Sequence, residues 1–126
     1  MSLKIIAIVP ELLVGVRIEE AAKRIGATVA SVSSQEAALA RLADSGADLI
    51  VVDLGVNGLD LAGIAASGRT RGATVIAFGP HVDADRRRAA QRAGIERVFA
   101  RSRFLKALPT VLEDAMRVKP KASRYP

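Results

Sequence analysis

Leu49-Ile50-Val51-Val52 is apolar at every position and stops at a single acid, Asp53. Ala47 and Asp48 lead into it, and Gly46 and Gly55 bound the whole stretch. A strand with one wet face alternates polar and apolar residues. A run with no alternation suits a strand covered on both faces, which is the habit of parallel sheets between layers of helices. In open sheets of that kind ligands gather beyond the carboxyl ends of the strands, where Asp53 falls. Lys4 to Val9 is a second such run. Pro10 closes it, having no N–H to give to a ladder, and Glu11 follows.

Between the strands the spacing becomes helical. From Leu12 to Ile25 the residues Val14, Ile18, Ala21 and Ile25 form one stripe, and Gly26 ends the helix. Ala27 to Val32 reads as a strand. Ser33-x-x-Glu36 is a capping box that opens a helix through Leu42, ending near Gly46. After Asp53 a loop carries Gly55 and Asn57-Gly58 and leads to a short helix, Leu59 to Ser67. Gly68 to Gly72 reads as a surface turn. Ala73 to Phe78 is a fourth strand, closed by Gly79-Pro80. Asp83 is placed to cap a helix from Ala84 to Ala93, and Glu96 to Ala100 is a fifth strand. Arg103 to Val118 is the last helix, with Pro109 expected to kink or restart it. Residues 1–118 then form one domain, and 119–126 a basic tail.

Five strands alternating with five helices every 20–25 residues or so predict a parallel sheet with helices on both faces. Right-handed crossovers leave few topologies. The expectation is a flavodoxin-like (βα)5 three-layer sandwich with strand order 2-1-3-4-5.

At 126 residues with half of them hydrophobic, the chain can bury a full core. It has no cysteine, which excludes disulfides and thiolate metal sites. No apolar run approaches a membrane span, and the first is too short for a signal-peptide core, so a cytoplasmic protein is expected. The net charge of +6 is mostly arginine. Nucleic acid is not the expected partner: four aromatics cannot build a stacking platform, and no helix-turn-helix lies outside the αβ pattern. His81, the only histidine, lacks an orienting partner in the sequence and reads as a loop residue. No P-loop or G-x-G-x-x-G spacing follows the first strand.

From Lys4 to Val118 the chain resembles the receiver domain of bacterial response regulators. The likeness rests on Gly46 to Asp53, on Val75-Ile76-Ala77-Phe78 as strand four, and on Ala93-Gly94-Ile95 before strand five. It implies Asp53 as the phosphoacceptor candidate and a Mg²⁺ ion held by Glu11, Asp53 and the Gly55 carbonyl. It places Gly79 and Arg101 as phosphoryl-contact candidates. The pattern is degenerate. The acid pair after strand one is Pro10-Glu11, the hydroxyl residue after strand four is Gly79, the lysine is Arg101, and the switch aromatic is Val98. Arginine keeps the charge but is larger and binds bidentately.

The resemblance also implies a partner and homodimer surface on helix four, strand five and helix five. Arg86, Arg87, Arg88, Arg92, Arg97 and Arg103 lie there. The expected function is that of a stand-alone signalling module, not an enzyme, contacting a sensor kinase or an output protein without ordinary phospho-switching. One alternative is a working phosphoacceptor that uses Mg²⁺. Another is a ligand-binding or enzymatic domain on the same fold.

Overall fold

The computed structural model describes residues 3–79, 84–95 and 97–117. The elements run β1 (Leu3–Ile8), α1 (Leu12–Arg24), β2 (Ala27–Val32), α2 (Gln35–Ser45), β3 (Leu49–Asp53), α3 (Leu61–Thr70), β4 (Thr74–Gly79), α4 (Ala84–Arg92), β5 (Arg97–Ala100), α5 (Arg101–Lys106) and α6 (Leu108–Arg117). All strand pairings are parallel, and the order is β2-β1-β3-β4-β5, as the strand–helix rhythm predicts.

The unbroken apolar runs explain the layering. Successive side chains on a strand point to opposite faces, so each central strand feeds two cores. Ile5, Ala7 and Val9 join Leu49, Val51, Ile76 and Phe78 on the face covered by α1, α5 and α6. Ile6, Ile8, Ile50, Val52 and Ala77 face α2, α3 and α4. Burying each large aliphatic side chain contributes about 1.5–3 kcal/mol, so the double coverage accounts for much of the fold's stability. Among the described residues no helix is long and apolar enough to cross a membrane.

The stripe expected on α1 is the buried one: Val14, Ile18, Ala21 and Ala22 pack inward, Ile25 is half-buried, and Gly26 turns the chain at φ 75°.

Four details depart from the sequence reading. The cap of α2 is Ser34, not Ser33: its Oγ accepts from the Ala37 N–H at 3.1 Å. Glu36 therefore sits one place too early to close a capping box, and acts only as an anion near the positive end of the helix. Secondly, Gly68 to Thr70 are not a turn. They complete α3, and only Arg71 and Gly72 turn. Gly68 is buried because α3 lies so close to β4 that a Cβ there would stand 2.7 Å from Val75 Cγ2. Thirdly, α3 begins at Leu61, with Asp60 accepting from the Gly63 N–H at 3.0 Å. Lastly, the final helix begins at Arg101 instead of Arg103; it restarts at Leu108 beside Pro109, as that proline predicts, so the described residues hold six helical segments instead of five. Pro109 stands in the first turn of α6, where its missing N–H costs nothing. Pro80, His81, Asp83, Glu96 and residues 118–126 lie outside the described residues.

Candidate functional site

All five strands point the same way, so their carboxyl ends open on one rim. Asp53 ends β3 and lies in register with Phe78 of β4. Gly79 ends β4 and pairs with Ala100 of β5. Glu11 comes just before α1, and Arg101 is the first residue of α5. Topology thus gathers four residues that are up to 90 positions apart.

Their contacts are specific. Arg101 Nη2 donates to Glu11 Oε2 at 2.6 Å, with both side chains partly exposed. Asp53, half-buried, accepts through Oδ1 from the Gly55 N–H at 2.8 Å and so closes its own loop. A Cβ at Gly55 would lie 3.1 Å from that oxygen, so glycine lets the loop fold this tightly. Arg101 is held above the usual arginine value. The main cause is the hydrogen bond it donates to Glu11; desolvation opposes it, and the charges of Glu11 and Asp53 add to it. The guanidinium therefore sits in the field of both acids while bonded to one. An ion pair this exposed contributes on the order of 0–1 kcal/mol, so its importance is positional.

The donor set is a poor match for the Mg²⁺ that the receiver resemblance implies. Mg²⁺ demands near-octahedral oxygen ligands, usually including one or two carboxylates. Here Glu11 already holds a cation, and among the described residues no cluster of three acidic or histidine side chains forms. Gly79 offers no hydroxyl, and Val98, at the aromatic switch position, is buried. The neighbouring aromatics pack on one another instead. Phe78 stacks on Phe104 of α5 with centroids 4.5 Å apart, and Phe99 leans on the same ring at 6.2 Å.

The arginines expected to form a partner face are partly engaged. Arg87 donates to the Val98 carbonyl at 2.8 Å, Arg88 pairs with Asp85, and Arg97 is half-buried. Arg92 and Arg103 are exposed. Arg87, Arg97 and Arg117 rim a groove of about 560 Å³ floored by Val98, Phe99 and Val111.

One feature escaped the sequence reading. Leu12 and Leu13 are 78% and 74% exposed, and Val16 is 38% exposed. With Pro10 they form an apolar surface at the start of α1, beside a groove of about 420 Å³ that Leu12 and Val16 share with Val32 and Ala37. The signal was present: these three residues fall off the Val14–Ile18–Ala21 stripe.

No protein-family model matches the chain, and no curated protein matches it in sequence. Solved structures do match in shape. A response regulator from Thermotoga maritima superposes with a TM-score of 0.81 at 16% identity, covering 94% of this chain and all of that one. This chain has the receiver fold. An orphan response regulator of H. pylori gives 0.78 at 18% identity over 91% of this chain and 97% of its own. A CheY-like receiver domain protein from Methanospirillum hungatei gives 0.79 at 11%, over 93% and 95%. On the receiver fold, Asp53, Glu11, Gly79 and Arg101 all lie at the carboxyl rim of the sheet, as their order in the chain implies.

Proposed function

We propose that the protein is a receiver-like signalling module that works by binding another signalling protein, performs no turnover, and is not switched by phosphorylation of Asp53. The receiver fold supports the signalling role. The contact between Glu11 and Arg101 carries the rest of the reading: it commits the acid after β1 and the first cation after β5 to each other. Phosphoryl transfer relies on positioning and charge neutralisation, and Gly79 supplies no hydroxyl for it. Two surfaces suit protein contact. One is the arginine-rich face of α4, β5 and α5, open to an acidic surface of a kinase or output protein, or to the acids of a second copy. The other is the apolar start of α1.

Incubation with a small acyl phosphate and Mg²⁺, followed by intact-mass measurement, tests the reading. The expected result is no stoichiometric adduct. Asp53 is partly exposed at the rim, which favours phosphoacceptance as the second reading. An adduct that disappears in Asp53→Asn would establish it, with Glu11, Asp53 and the Gly55 carbonyl as Mg²⁺ ligands.

A further inference from the structure

The sheet ends at β5, and the groove of about 560 Å³ along that strand is walled by α4 and α6. Its volume is one that small-molecule sites commonly have. We propose that this groove binds a purine nucleotide, with the phosphate on Arg87, Arg97 and Arg117 and the N–H edge of the base on Asp114. The inference goes beyond the protein contact proposed above and does not depend on it.

The cations point to an anion. Arg97 is half-buried, yet it makes no ion pair among the described residues. A charge drawn partly out of water is costly until an opposite charge joins it. Arg87 is already held in place: its Nη1 donates to the Val98 carbonyl at 2.8 Å in a partly buried contact. That bond uses one of the guanidinium's donors and leaves the others for a ligand. Arg117 is held only by a long contact of 3.5 Å to Glu113. Planar guanidinium forks lining one space suit phosphate, which they bind bidentately.

The floor and the one acid narrow the ligand further. Val98, Phe99 and Val111 offer an apolar floor for a flat ring. Asp114 lines the same groove, is exposed, and pairs with none of the three arginines. Its carboxylate repels a bare phosphate and an acidic peptide alike. It accepts instead from N–H donors. A purine nucleotide presents all three features: an anion at one end, a flat ring, and N–H groups on the far edge. Guanine sets its N1–H and its N2 amino group side by side, matching the two oxygens of a carboxylate, whereas adenine has only its N6 amino group there.

The test is titration of the ¹⁵N-labelled protein with GMP, AMP, inorganic phosphate and a polyglutamate peptide, read from the amide shifts of Val98, Phe99, Val111 and Asp114. GMP is expected to give saturable shifts at these amides, with affinity roughly tenfold above that of AMP, and inorganic phosphate to bind more weakly than either. Arg97→Gln is expected to lower the affinity for GMP by roughly tenfold, its fold checked in the same amide spectrum. Asp114→Asn changes an exposed side chain without a partner, so the fold is kept. It is expected to erase the preference for GMP over AMP and to strengthen phosphate binding, which a general attraction of anions to arginine would not do. Absence of saturable shifts with GMP overturns the proposal, as does equal affinity for the two nucleotides in the wild type. Polyglutamate binding more tightly than GMP also overturns it and makes the groove a peptide site.

Discussion

Single residues here are decided by what stands opposite them. A Cβ on Gly68 would meet Val75 Cγ2 at 2.7 Å and the Ala73 carbonyl oxygen at 3.1 Å, and neither can swing away. Gly68→Ala is expected to lose about 1–3 kcal/mol by overpacking, read from urea unfolding. Gly15 is also buried and helical, but its Cβ would meet only Ser31 Oγ at 3.5 Å. Gly15→Ala is expected to be neutral, or to gain up to about 1 kcal/mol from helix propensity. Sequence alone treated these two glycines wrongly or not at all. Gly-Arg-Thr-Arg-Gly has the composition of a turn, and nothing local reveals that its first glycine is squeezed between α3 and β4. Ser33 and Ser34 were likewise indistinguishable without the extended backbone that makes Ser34 the cap. The raised Arg101 value carries its own sign. A group whose folded value exceeds its unfolded one stabilises below the unfolded value and loses that only as pH climbs through the folded one. Both lie far above working pH, so the Arg101→Gln stability difference should not shrink between about pH 7 and 9.

The elements were more legible than their ends. Unbroken apolar runs identify β1, β3 and β4, because only doubly covered strands lack alternation. The stripe on α1 identifies its buried side. What the stripe left over, Leu12, Leu13 and Val16, turns out to be the exposed apolar surface. Replacing Leu12 and Leu13 together by Ser removes no buried contact, so stability should change by no more than about 0.5 kcal/mol per site. Partner binding through α1 should weaken, as measured by calorimetry with whichever signalling protein is captured. If binding is unchanged, the arginine face carries it instead. In that case Arg86→Glu with Arg92→Glu should slow association and flatten its dependence on salt, since rim charges act mainly on encounter. The start of α3 adds a further contact that pattern reading could not supply. Gln35 of α2 clasps Asp60 by accepting from its N–H at 2.7 Å and donating to its carbonyl at 3.3 Å. Loss of the Asp60 side-chain cap should cost about 1 kcal/mol.

At the scale of the whole molecule, the sheet divides the interior into two cores that do not mix. Ile18 lies in one and Ile64 in the other. Ile18→Val and Ile64→Val should each lose about 0.5–1.5 kcal/mol. Their double variant should match the sum within about 0.5 kcal/mol, because residues without shared partners act independently. A clear excess in thermal or urea unfolding would mean that strain crosses the sheet. The strand order was readable because few right-handed arrangements accommodate five αβ units. The bond between Glu11 and Arg101 was not, because it exists only once that order brings their strand ends side by side. It joins positions 90 apart in the chain. Synthesis must therefore pass Arg101 before Glu11 can meet its counterion, so this corner of the molecule takes shape only after the strands between the two residues exist.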